Sequence, residues 1–179
     1  MSGLPGLGLP GLAGVEHVGF TVPDLDAAVR FFTEVIGCSK AYEIGPFQAS
    51  DDWMARQLGV HPRAVLRKLA MLRCKNGPNF EIFEYEVAGQ MVTPPANSDV
   101  GGHHLAFYVQ DIEAAVAYLK ARGVIVQGDV VTMQDGPSKG LCWVYFLAPW
   151  GMQLELVSAP QGQAVTHQDP RALWSPLGV

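Results

Sequence analysis

Residues 16–32 read EHVGFTVPDLDAAVRFF, and residues 103–119 read HHLAFYVQDIEAAVAYL. Placed without gaps so that His17 meets His104, residues 17–32 and 104–119 share seven identities in sixteen positions: one His, one Phe, one Asp, two Val and two Ala. Most of the remaining pairs are similar, such as Leu25 with Ile112 and Asp26 with Glu113. A repeat of this kind is the mark of a duplicated supersecondary unit.

Each copy reads as a strand that turns into a helix. Val18, Phe20 and Val22 alternate on one face, leaving His17, Gly19 and Thr21 on the other. Leu105, Phe107 and Val109 repeat that face, opposite His104, Ala106 and Tyr108. Asp24 and Asp111 are natural N-caps, since a short carboxylate accepts from free helical N–H groups. Leu25, Val29, Phe32 and Ile36 make one apolar stripe, and Ile112, Val116 and Leu119 the matching one. Gly37 and Gly123 stand where a helix ends in a left-handed residue.

Three strands are expected after each helix. In the first copy they are KAYEI, LRKLAMLRC and NFEIFEY. In the second the segments are VIVQ, DVVTM, LCWVYFL and MQLELVS, with turn signals between them. The fold class is therefore α+β: two tandem βαβββ modules. Residues 1–14 form a Gly-, Pro- and Leu-rich arm, and 15–86 the first module with an insertion at 46–65. Residues 87–101 link it to the second module at 102–158, and 159–179 form a tail. The insertion is read as carrying a short helix capped at Ser50 and holding Trp53, Met54 and Leu58. The arm is read as mobile, with packing on a partner subunit as the sharper option; Trp174 and Leu177 give the tail the same ambiguity.

Face parity selects the chemistry. Helices cover the Val18–Phe20 face, so His17 points away from them, as does His104 in its copy. The last strand of each module places a glutamate among apolar residues. Phe80 and Ile82 flank Glu81; Leu154 and Leu156 flank Glu155. A carboxylate among strand residues is costly to bury unless it is paired or binds a cation. A single strand histidine is ordinarily packed or solvated, and a single strand glutamate usually faces water. Four such residues at equivalent places in two copies suit one divalent metal (Zn, Ni, Mn, Co or Fe(II)) with open positions for substrate. Parity disfavours the neighbours: His103 falls on the Leu105 face and Glu84 on the Phe80 face. Leu105 and Phe107 are expected in the core and Ala106 on the site face.

These residues, with HVGFTVPDLDAAVRFFTEVIG, FEIFEY, HHLAFYVQDIEAAVAYLKARGV and YFLAPWGMQLELV, make the chain resemble the vicinal oxygen chelate superfamily. That superfamily includes glyoxalase I, methylmalonyl-CoA epimerase, extradiol dioxygenases, and fosfomycin and bleomycin resistance proteins. The resemblance implies curved sheets forming a metal-binding cup, with ligands His17, Glu81, His104 and Glu155, and a homodimer. Relatives often carry D-P-x-G-N before the last strand, where this chain has Ala148, Pro149, Trp150, Gly151 and Met152. That departure costs a turn carboxylate rather than a ligand.

A full set of two histidines and two glutamates is more similar to glyoxalase I than to the dioxygenases, which are associated with two histidines and one glutamate. The leading expectation is metal-assisted proton abstraction next to a carbonyl, giving isomerase, epimerase or lyase chemistry on a small substrate with vicinal oxygens. Glu155 is the candidate base and Glu81 its partner acid, with roles that exchange with substrate stereochemistry. An extradiol-type dioxygenase using His17, His104 and Glu155, a resistance-type binding protein and an epoxide-opening enzyme stay open as alternatives.

Composition sets the outer bounds. The chain has 179 residues, 49% hydrophobic and 16% charged, a globular balance. A net charge of −5 argues against non-specific nucleic-acid binding, which relies on a positive surface. No apolar run is long enough for a membrane span, and the N-terminus lacks the pattern of a secretion signal. Cys38, Cys74 and Cys142 form no C-x-x-C pair; they suit a reducing cytoplasm and read as small apolar packing residues. Arg63, Arg67, Lys68, Arg73 and Lys75 cluster as either a solvated edge strand or a docking patch for an anionic group. His61 is read as a loop residue with the option of reaching the cup. Tyr108, Phe83, Tyr85 and Trp143 are candidates for an apolar pocket wall.

Overall fold

The structure, a computed structural model, describes residues 9–160 and 175–176. The first eight residues of the arm, and Trp174 and Leu177 of the tail, lie outside the described residues.

In chain order the first module comprises β1 (His17–Thr21), α1 (Leu25–Arg30), a π-helical segment (Phe31–Ile36), β2 (Ser39–Ile44), α2 (Trp53–Leu58), β3 (Val65–Arg73) and β4 (Asn79–Glu86). The second comprises β5 (Leu105–Tyr108), α3 (Ile112–Ala121), β6 (Val126–Thr132), β7 (Cys142–Leu147) and β8 (Gln153–Ser158). Each module is one mixed four-stranded sheet, ordered β1-β4-β3-β2 and β5-β8-β7-β6. The first strand of each runs parallel to the last, and the other neighbours are antiparallel.

The helices start where the sequence places them. Asp24 Oδ1 accepts from Ala27 N–H at 2.8 Å, and Asp111 Oδ1 from Ala114 N–H at 2.9 Å. The Leu25–Ile36 stripe is not one α-helix, however: it loosens into a π-helical segment at Phe31. Phe31 and Phe32, adjacent in sequence, are both buried there. Gly37 closes it with φ 89°, a left-handed conformation that suits glycine.

Three further expectations need correction. The insertion helix is capped at Asp52 rather than Ser50, and makes no side-chain cap hydrogen bond. VIVQ and DVVTM are one strand, β6, whose register shifts between Gln127 and Val131 around Gly128 at φ 73°. Apolar runs split by a glycine read as two strands, but a bulge lets one strand absorb the glycine. The strand carrying Arg67 and Lys68 is not an edge: β3 lies between β4 and β2. Both of those cations have carboxylate partners, Arg67 with Glu86 and Lys68 with Asp26, the latter at 2.7 Å.

One hydrophobic core spans both modules. It joins Phe20, Leu25, Phe32, Leu72, Phe80 and Ile82 of the first to Val116, Leu119, Val144, Phe146, Leu154 and Leu156 of the second. The seam is aromatic. Trp150 packs on Phe31 and Phe32, each with ring centroids 5.9 Å away, and Phe80 meets Phe107 at 6.1 Å. Leu105 and Phe107 are half-buried against this core, and Ala106 is exposed on the opposite face. In the insertion, Met54 is fully buried outside the main core, and Phe47 stacks edge-on against Trp53. No described helix is long and apolar enough to cross a membrane.

Candidate metal and proton-transfer site

The hydrogen-bond register fixes the site face. In the first sheet one rung runs Gly19–Glu81–Met71–Tyr42, and in the second the equivalent rung runs Ala106–Glu155–Tyr145–Gln127. The two glutamates thus occupy the same position in their sheets. His17 precedes Gly19 by two residues and His104 precedes Ala106 by two, so both return to the glutamate face. The neighbours Phe80, Ile82, Leu154 and Leu156 are buried on the other side.

The side chains meet as two matched pairs. His17 Nε2 lies 3.2 Å from Glu81 Oε2, and His104 Nε2 lies 3.1 Å from Glu155 Oε2. The second pair is the more sheltered: His104 and Glu155 side chains are 33% and 12% exposed, against 43% and 24% for His17 and Glu81. The structure brings His17 to Glu81 and His104 to Glu155, but does not bring the pairs into one cluster. Among the described residues, no group of three or more His, Cys, Asp and Glu gathers closely enough to hold a metal ion.

Each imidazole is anchored through its far nitrogen. His17 Nδ1–H donates to Glu16, whose other oxygen accepts from Asn79 Nδ2 at 2.8 Å. His104 Nδ1 contacts the Asn97 side-chain amide, at 3.2 Å to Nδ2 and 3.4 Å to Oδ1. An ionised carboxylate only accepts, so His17 carries its proton on Nδ1 and turns Nε2 toward Glu81. Nε2 must then hold a second proton, or its lone pair must share a cation with the carboxylate. The hydrogen bond to Glu16 raises the His17 pKa, opposed by desolvation and reinforced by the charges of Glu81 and Glu16. The donor set of imidazole plus carboxylate, with Nδ1 held by an outer partner, fits a divalent ion.

Glu155 differs in environment. Burial pushes its carboxyl above the ordinary range, and the contact with His104 partly offsets that. Tyr145, its neighbour on the rung, is also raised, by burial first and then by the Glu155 charge. The His104 and Tyr145 rings meet edge to face at 5.2 Å, with Trp143 5.3 Å beyond. In the first module Phe83 and Tyr85 stack at 5.5 Å, and Tyr85 is raised by burial and then by Glu81. Phe83, Tyr85 and Trp143 therefore stand on the faces that carry the glutamates. Tyr108 receives the Ala159 N–H on its hydroxyl at 3.4 Å.

Other residues have partners of their own. Glu84 lies on the helix side, where Oε2 accepts the Leu25 N–H at 2.8 Å and adds a second carboxylate to the start of α1. His103 Nδ1 donates to the Gly101 carbonyl at 2.9 Å. His61 sits in the loop after α2, where its Nδ1 accepts from Arg63 N–H at 3.1 Å. Sequence reading missed Tyr145, although the alternation of CWVYFL puts it on the face of Trp143. It also missed Glu16 and Asn97. Glu16 adjoins a named histidine, but Asn97 comes from the linker, and no periodicity points to it.

A separate cleft of about 490 Å³ lies between the helical segment of the first module and the α3–β6 and β7–β8 connections of the second. Arg30, Glu34 and Arg122 line it, and no member of either His–Glu pair does.

The comparisons agree with this architecture. The model of the Glyoxalase/Bleomycin resistance protein/Dioxygenase superfamily matches residues 16–139. The chain is 50% identical over 176 residues to a 2-epi-5-epi-valiolone epimerase of Actinomyces sp, covering 98% of this chain and 95% of that protein. A glyoxalase family protein from Bacillus cereus shares the fold, with TM-score 0.65 and 22% identity over 86% of this chain and 98% of its own. A fosfomycin resistance protein, FosX, from Listeria monocytogenes, solved as a mutant with Mn(II) and a dihydroxypropylphosphonic acid, does so at TM-score 0.52. It is 17% identical over 83% of this chain and 93% of its own. These two structures speak for the fold alone. With the family model spanning the repeat, and a relative half identical along nearly the whole length, the chain belongs to the glyoxalase/bleomycin resistance protein/dioxygenase superfamily.

Proposed function

We propose that the protein is a metal-dependent epimerase acting at the carbon next to the carbonyl of a small polyoxygenated ketone, with 2-epi-5-epi-valiolone as the first substrate to test. The observation that carries this reading is the matched pair of imidazole–carboxylate contacts, at 3.2 and 3.1 Å, at equivalent positions of two sheets. The half-identical relative named as an epimerase supports the reaction class and the substrate.

Inverting a carbon requires removing a proton from one face and returning one to the other. A carboxylate on each side meets that need. Glu155, raised by burial, is poised to take the proton nearer neutral pH than an exposed carboxylate would. Glu81 serves the opposite face, and the direction of reaction decides which residue begins. His17 and His104, oriented by Glu16 and Asn97, would hold the ion together with the two glutamates. Such an ion would supply Lewis-acid polarisation of the substrate carbonyl. Phe83, Tyr85, Trp143 and Tyr145 shield the faces from water.

The two pairs stand apart in one chain, so a complete site takes His17 and Glu81 from one copy and His104 and Glu155 from a second. A symmetric pair of copies would then hold two such sites. Tyr42, on the rung of Glu81, is 50% exposed, and Ile44 on the same face 55%. A second copy gives those side chains a cover.

The test is turnover of 2-epi-5-epi-valiolone in deuterium oxide, without air, by protein loaded with Zn(II) or Ni(II). The expected product carries deuterium at the inverted carbon and forms without oxygen. Inversion without label would overturn the proton-transfer reading. Activity confined to Fe(II) or Mn(II) protein with matched oxygen uptake would replace it with dioxygenase chemistry.

A further inference from the structure

The fold sets two of the three cysteines face to face. Cys38 immediately precedes β2 and Cys74 immediately follows β3; the last rung of that antiparallel ladder is Ser39 with Arg73. The next pair outward is therefore Cys38 and Cys74. Each has committed a backbone group elsewhere: Cys38 N–H donates to Phe32 O at 2.8 Å, and Cys74 O accepts from Gly77 N–H at 3.0 Å. The two residues thus stand opposite each other as a non-hydrogen-bonded pair. In such pairs the Cα atoms are about 4.5 Å apart and the side chains lean together, within the roughly 4.4–6.8 Å that a disulfide spans. Cys74 shares the parity of Leu72, so both sulfurs lie on the core side.

The thiols already interact and are unequal. Each thiol shifts the pKa of the other, in opposite directions. Their contact, with burial, drives the Cys38 pKa far up. It lowers the Cys74 pKa, and the charges of Lys75 and Arg73 act the same way against burial. Exposure follows the same order: Cys38 is 5% exposed and Cys74 only half-buried. A partly exposed thiol with depressed pKa beside a buried thiol has the make-up of an attacking and a resolving pair. Cys142 is remote from this chemistry: it lies buried in β7 of the other sheet, 3.3 Å from Thr132 Oγ1.

We propose that Cys38 and Cys74 form a redox site, a cross-strand dithiol that closes to a disulfide when the folded protein meets a low-molecular-weight disulfide such as oxidised glutathione. Cys74 thiolate attacks one sulfur of the oxidant, and one glutathione thiolate leaves. Cys38 then loses its proton and attacks the Cys74 sulfur of the mixed disulfide, expelling the second glutathione. Two protein thiols are oxidised, and one small disulfide is reduced to two thiols. The closed loop runs from 38 to 74 and encloses β2, the insertion with α2, and β3. Oxidation thereby pins the outer wall of the first module.

The experiment treats the full, folded chain with oxidised glutathione, blocks free thiols by alkylation and maps peptides by mass spectrometry. The expected result is one internal Cys38–Cys74 crosslink, with Cys142 alkylated only after unfolding, and complete reversal by dithiothreitol. Cys38→Ser should accumulate a stable glutathione adduct at Cys74, whereas Cys74→Ser should leave Cys38 unmodified in the native state. A lasting adduct on Cys74 of the unsubstituted protein, or retention of all three thiols, would overturn the proposal. Since the crosslink is read on the unsubstituted chain, poor folding of either variant does not blunt the test.

Discussion

Mixing two inactive variants should restore activity. One variant carries His17→Ala with Glu81→Gln; the other carries His104→Ala with Glu155→Gln. If every site takes half its residues from each of two copies, each variant alone damages both sites of its symmetric pair. In a mixed pair, one site collects both damaged halves. The other receives intact His104 and Glu155 from the first variant and intact His17 and Glu81 from the second. Random reassociation makes about half the pairs mixed, and half of their sites are whole, so about one quarter of the unsubstituted activity returns. The four side chains are between 12% and 43% exposed and lie outside the main core, so each variant should keep its fold. The assay carries a different affinity tag on each variant, exchanges copies in mild denaturant, and isolates doubly tagged pairs. Tightly bound metal and turnover are then measured, with one ion per mixed pair expected and none in either parent. Doubly tagged pairs with neither metal nor activity would refute the shared-site reasoning, as would full metal content in either parent alone.

Three further outcomes follow from the side-chain environments. Burial raises the folded pKa of Glu155 above its unfolded value, so its charge opposes folding above the folded pKa, and that penalty is relieved as pH falls through it. In metal-free protein, Glu155→Gln should therefore raise the urea midpoint at neutral pH, with the gain closing on acidification. Glu16→Ala removes the acceptor of His17 Nδ1–H and should weaken metal affinity about 10- to 100-fold in chelator competition, with nitrogen NMR of the metal-free protein reporting loss of the fixed tautomer. Phe32→Ala empties a fully buried site ringed by Phe20, Phe31, Phe80 and Trp150, and should cost about 5 kcal/mol in denaturant melts, the upper end for such truncations; a loss below about 2 kcal/mol would mean the seam between modules is looser than described.

Much of the module was written in local pattern. The His17–His104 repeat, the two aspartate caps and the alternation around Glu81 and Glu155 each depend on a few adjacent residues, and strand parity transmits a side chain's direction without knowledge of the partner strand. What parity cannot carry is how one sheet is set against another. It puts four residues on equivalent faces, yet says nothing about whether those faces meet within a chain. Strand order is likewise hidden: the Arg67–Lys68 strand looked like an edge because its charges are plain in sequence, while their partners Glu86 and Asp26 are brought up by pairing and by α1. Cys38 and Cys74 escaped for a related reason, since only the β2–β3 register, with an insertion between the strands, sets them opposite each other. Asn97 lies in the linker, where no periodic signal exists to read.

The Trp150 seam has a consequence for motion. Trp150 sits in the turn before β8 and wedges against Phe31 and Phe32, while Phe80 and Phe107 touch between the sheets. Tyr118 of α3 also donates to the Val35 carbonyl at 3.1 Å, so the helices are tied as well. These contacts predict that the two modules of one chain move as a single body, with residues 87–101 as a tether rather than a hinge. Closure over a substrate cannot come from one module folding onto the other. If each site is shared between two copies, closure would come from one copy rocking against its mate or from the insertion segment between β2 and β3. A cut in the tether should leave the two fragments associated and still able to contribute their halves of the site.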